Sequence, residues 1–87
     1  MLEKIQIFTR GCVRSIVVAK NLNKAVEKMG LNIEVEKIED PEIHKQEGIM
    51  GTPSVKINGE LKVDGEFTSP EEFEEILSEY LQYTNII

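Results

Sequence analysis

Apolar and polar positions alternate along Lys4-Ile5-Gln6-Ile7-Phe8-Thr9 until the run breaks at Gly11. A period of two is that of a strand buried on at least one face. From Val13 the spacing changes. Val13, Ile16 and Val17, then Val18, Leu22, Ala25, Val26 and Met29, recur at three and four, the period of an amphipathic helix, while Lys20, Lys24 and Lys28 occupy its outer face and Gly30 offers a C-cap. Alternation returns over Ile33 to Ile38, so strand, helix and strand form a βαβ unit with a right-handed crossover.

Asp40-Pro41-Glu42 predicts a short helix with Asp40 as cap and Pro41 at its first position, ending by Gly48. Val55 and Ile57, then Leu61 and Val63, give two further alternating runs joined by Asn58-Gly59, the dipeptide of a type I′ hairpin. Ser69-Pro70-Glu71-Glu72 reads as a capping box that opens a last helix, whose apolar face is Phe73, Ile76, Leu77, Tyr80 and Leu81. Its first half carries Glu71, Glu72, Glu74 and Glu75, where the helix dipole favours negative charge. Gln82 to Ile87 reads as a frayed end. The whole predicts an α/β chain of order βαβαββα.

Composition narrows the class. Eighty-seven residues with 40% hydrophobic content suffice for one packed core, so residues 1-87 are expected to form one domain. No apolar run approaches the roughly 18 residues of a membrane span, and the first residues lack a signal-peptide pattern, which predicts a cytoplasmic protein with no membrane partner. The net charge of -6 is unevenly spread. Residues 1–32 hold six Lys/Arg against two acids and residues 33–87 four against fourteen, so the first helix is locally basic on an acidic chain. That balance argues against a nucleic-acid partner but allows a small anion near the first helix.

The chain has one cysteine, so no internal disulfide is possible and a reducing compartment fits best. Cys12 stands at the predicted start of the first helix between Arg10 and Arg14, a setting that favours thiolate over thiol. The bland alternative is a small buried hydrophobe. The helix dipole alone moves an exposed thiol little, so backbone N–H groups, the Ser15 hydroxyl or a nearby arginine must supply the rest. Arg14 lies two residues beyond Cys12 on a helix and points away, which leaves Arg10 as the better thiolate neighbour. One Cys and one His make no metal-ligand spacing, so no metal and no cofactor are expected. His44, in a charged short helix, is a poor candidate for a general base.

The element order, Gly11-Cys12-Val13-Arg14-Ser15, Thr52-Pro53, and the hairpin Ile57 to Val63 followed by the Ser69 capping box resemble the small archaeal and bacterial thioredoxin-like proteins called redox-active disulfide proteins, with glutaredoxins as more distant relatives. The resemblance covers about Lys4 to Leu81. It implies a thioredoxin fold: a four-stranded mixed sheet flanked by three helices. It also implies a nucleophilic Cys12, a cis Pro53 packed near the sulfur, and a Thr52 backbone that pairs with an extended substrate, with Arg10 and Arg14 available to an anionic partner.

The family's usual motif is Cys-x-x-Cys, and position 15 here is serine. A dithiol enzyme resolves its mixed disulfide with the second cysteine, and serine cannot take that part. Ser15 then serves as a hydrogen-bond donor to Cys12, or is an inert remnant, or stands where a resolving cysteine was replaced. The resemblance thus implies a monothiol thiol-disulfide exchange protein, acting on a disulfide or glutathionylated protein, with an external thiol as resolving partner and the chain itself a monomer. Three alternatives stay open: a non-catalytic thiol- or peptide-binding module, a glutathione-dependent iron-sulfur carrier, and a degenerate scaffold with an idle cysteine. Against the carrier, Cys-Val-Arg-Ser differs from the Cys-Gly-Phe-Ser of cluster-binding glutaredoxins.

Overall fold

The computed structural model describes residues 2–81; the reading of Gln82 to Ile87 as a frayed end lies outside them. The elements are β1 (Ile5–Phe8), α1 (Val13–Lys28), β2 (Val35–Ile38), α2 (Pro41–Gln46), β3 (Ser54–Ile57), β4 (Glu60–Asp64) and α3 (Pro70–Ser78). The strands form one mixed sheet of order β2-β1-β3-β4. β1 pairs parallel with β2 and antiparallel with β3, which in turn pairs antiparallel with β4.

Because side chains alternate across a strand, β1 serves two layers. Ile5 and Ile7 enter a core with Val18, Leu22, Ala25 and Val26 of α1, Val55, Ile57 and Val63 of the hairpin, and Phe73 and Leu77 of α3. Phe8 faces the other way. There its ring meets His44 of α2 edge-on at 5.5 Å between centroids, and the Lys56 ammonium lies 5.9 Å from the Phe8 centroid. Helices α1 and α3 therefore cover one face and α2 the other, as the short connections of a βαβαββα chain require.

Local signals explain the boundaries. The Asp40 carboxylate accepts from the Glu42 amide, with Pro41 at the first helical position. At α3 the Ser69 hydroxyl accepts from the Glu72 amide while the Glu72 carboxylate accepts from the Ser69 amide, a complete capping box. The hairpin turns on Asn58 and Gly59 at φ 52° and 85°, both in the left-handed region that a type I′ turn demands. β2 is shorter than its alternating pattern, since pairing with β1 spans only Val35 to Ile38.

The start of α1 departs from the sequence reading. Its inward stripe is Ser15, Val18, Asn21, Leu22, Ala25 and Val26, whereas Val13, Ile16 and Val17 are exposed, Val13 by 77%. The core residues fix the helix phase, and extending that phase back one turn brings Ser15 inward and carries the first three apolar residues off the buried face. Asn21 is buried on the same stripe, and its Nδ2 donates to the Thr68 carbonyl at 2.9 Å, tying α1 to the segment before α3.

Candidate active site

Strand direction gathers the site. β1 and β2 are parallel, so both end at the same edge of the sheet, and the pairing of Phe8 with Ser54 and of Ser54 with Asp64 brings the start of β3 and the end of β4 to that edge. Residues 9–12, 49–53 and 65–68 consequently meet there. The Thr52–Pro53 peptide bond is cis, Pro53 is fully buried, and its carbonyl accepts from the Gly65 amide at 2.8 Å.

Gly11 (φ 78°) makes the turn out of β1, and Cys12 follows as the N-cap of α1 in extended conformation, its carbonyl accepting the Ile16 amide at 3.0 Å. Cys12 is exposed. Ser15, one turn along, is fully buried, and its Oγ lies 3.2 Å from the Cys12 Sγ. The thiol is held below its ordinary range chiefly by the Ser15 hydroxyl, next by the Ser15 backbone amide, with lesser help from the amides of Arg14 and Cys12, against some desolvation. The sulfur closes no capping hydrogen bond, so those amides act on it as nearby dipoles at the helix start.

Neither arginine side chain is among the causes of the lowered thiol, to which Arg14 gives only its backbone amide. Arg14 is exposed on α1. Arg10 instead lines an open cavity of about 190 Å³ together with His44, Ile49, Met50, Gly51 and Thr52. Structure thus joins Cys12 with Ser15, and Arg10 with Thr52.

His44 belongs to the site's surroundings more than its sequence context suggested. It is buried, its Nε2 lies 2.7 Å from the Ile38 carbonyl at the end of β2, and its Nδ1 has no partner. Thr9 Oγ1 is likewise buried without a partner. No sequence signal marked Ile49, Met50 or Asn21 either, since each depends on which chain segments meet. Among the described residues no group of three or more His, Cys, Asp and Glu is placed to hold a metal ion, and no helix is long and apolar enough to cross a membrane.

The thioredoxin domain family's sequence model matches residues 3–78. The chain belongs to the thioredoxin family. It is 37% identical over 77 residues to a thioredoxin of Methanothermobacter thermautotrophicus, covering 88% of this chain and all of the relative. A thioredoxin of Methanocaldococcus jannaschii is 33% identical over 78 residues, 90% of each chain. Thioredoxin 1 of Thermosipho africanus superposes with a TM-score of 0.70 at 23% identity, covering 95% of this chain and 99% of that one, a likeness of fold. The expected thioredoxin fold, with its four-stranded mixed sheet and three helices, is therefore present.

Proposed function

We propose that this member of the thioredoxin family exchanges thiols and disulfides through Cys12 alone, as a cytoplasmic, monomeric, single-domain protein. Family membership supports thiol-disulfide redox chemistry in general. The observation that carries the narrower reading is the exposed Cys12 sulfur with the Ser15 hydroxyl 3.2 Å away. That pair favours a thiolate yet holds no second sulfur.

In the proposed reaction the Cys12 thiolate attacks one sulfur of a disulfide or glutathionylated cysteine. A new S–S bond forms to Cys12, the old one breaks, and the departing sulfur leaves as thiolate. Ser15 stabilises the Cys12 anion both before attack and when it leaves again. Thr52 offers its backbone to the extended partner and Pro53 walls the groove behind it. Val13 and Ile16, one and four residues beyond Cys12, are exposed and give apolar contact to the polypeptide carrying the disulfide. An external thiol then attacks the mixed disulfide and frees Cys12.

The test is the fate of the adduct. A peptide disulfide should convert Cys12 to a mixed disulfide that persists after the excess peptide is removed and disappears only on addition of a small thiol. A Cys12 that stays unreacted from pH 6 to 8 would refute the reading.

A further inference from the structure

The cavity lined by Arg10 and Thr52 has a chemistry that thiol exchange alone does not use. Its 190 Å³ are about six water volumes and fall below the roughly 300 Å³ at which whole-ligand pockets begin, so it suits a group the size of one side chain. Its one cationic lining residue is Arg10, which forms no ion pair or side-chain hydrogen bond among the described residues. A guanidinium with its planar fork uncommitted is suited to a carboxylate. The wall also contains His44, a buried side chain whose Nδ1 has no partner.

Position decides what such an anion must belong to. Arg10 and Cys12 are two residues apart, so their Cα atoms are separated by at most about 7 Å. Thr52, the residue proposed to pair with substrate backbone, lines the same cavity. Cys12 itself does not line the cavity, so a carboxylate held there is joined to the sulfur that Cys12 attacks through a short spacer.

We infer that the cavity lined by Arg10, His44 and Thr52 is a carboxylate subsite, and that Arg10 selects disulfides bearing an acidic group close to the reacting sulfur. The inference rests on Cys12 being the exchanging thiol. The carboxylate comes either from a small acidic thiol or from an acidic residue next to a substrate cysteine. During exchange it stays ionised: Cys12 gains the bond to the proximal sulfur, the distal sulfur departs as thiolate, and Arg10 neutralises the retained negative end.

Rates of mixed-disulfide formation test this with 3,3′-dithiodipropionate as acidic probe and bis(2-hydroxyethyl) disulfide as neutral one. A second arm uses disulfide dipeptides in which cysteine is followed by glutamate or by glutamine. The acidic-to-neutral rate ratio should fall roughly two- to five-fold in Arg10→Gln, the scale of one exposed charge pair, and stay near the parent value in Lys20→Gln, which removes the same charge from the outer face of α1. A fall in the first arm alone assigns the subsite to small thiols; a fall in the peptide arm assigns it to protein substrates.

His44, the chain's single histidine, gives a readout independent of reaction. Its imidazole resonances should shift saturably with the unreactive 3-(methylthio)propionate and shift less in Arg10→Gln. Equal falls in Arg10→Gln and Lys20→Gln, or unmoved His44 resonances, would overturn the subsite. Absence of reaction with the neutral disulfide would instead strike at Cys12 exchange itself.

Discussion

Replacing Ser15 by cysteine should convert a thiol that only captures its partner into one that also releases it. The Cys12 Sγ to Ser15 Oγ distance is 3.2 Å, so a sulfur at position 15 needs to close by about 1.2 Å to reach the 2.05 Å of an S–S bond. One side-chain rotation on each partner supplies such a movement without shifting the helix. The gain is one of concentration. A tethered thiol acts at an effective concentration of about 1 mM or more, some hundred-fold above an external thiol at about 10 µM, and resolves the adduct correspondingly faster.

The assay is stoichiometric reaction with 5,5′-dithiobis(2-nitrobenzoate), read by absorbance and intact mass. The parent chain, having a single cysteine, should release one equivalent of the coloured thiolate and retain the other as an adduct. Ser15→Cys should release two equivalents and end as the unadducted intramolecular disulfide. If the variant stops at one equivalent with the adduct retained, the 3.2 Å contact does not place residue 15 to resolve Cys12, and the geometric argument fails.

Three further outcomes are expected. The midpoint of Cys12 alkylation against pH should lie below the usual thiol value of about 8.5 and rise in Ser15→Ala, since the hydroxyl is the main cause of the lowered thiol; an unmoved midpoint would assign the effect to backbone amides. Asn21→Ala leaves the Thr68 carbonyl without its buried donor and should cost about 1–3 kcal/mol, seen as a fall of about 4–8 °C in Tm per kcal/mol by circular dichroism; a fall under about 2 °C would mean that water replaces the amide. Phe73→Ala, at a fully buried ring between α3 and the sheet, should cost about 3–5 kcal/mol in chemical denaturation, and a loss below about 1 kcal/mol would contradict the packing described for α3.

Elements with local signatures were legible from the chain alone. The capping box at Ser69, the Asp40-Pro41 start of α2 and the Asn58-Gly59 turn each depend on residues within four positions, so their reading needs no tertiary knowledge. The phase of α1 was not so legible. Val13, Ile16 and Val17 continue an apolar spacing of three and four, and only the sheet decides that Ser15 turns inward in their place. The site divides in the same way. Cys12 and Ser15 are one helical turn apart and their contact follows from the helix, but Arg10 and His44 share a cavity only because β2 and α2 return beside the end of β1. The lone His44 among charged neighbours carried no sign of burial, since its partner is a backbone carbonyl that sequence patterns do not display.

The Asn58 turn also gives the molecule a head and a tail. The Asn58 Oδ1 accepts from the amides of Glu3 and Lys4, and the Asn58 amide donates to the Lys4 carbonyl, so the entry of the chain is pinned to the hairpin tip at the edge of the sheet opposite Cys12. Anything tethered ahead of Glu3, whether a fusion partner or a bead, therefore hangs from the far pole. Immobilised in this way, the protein would present its thiol outward to every passing disulfide.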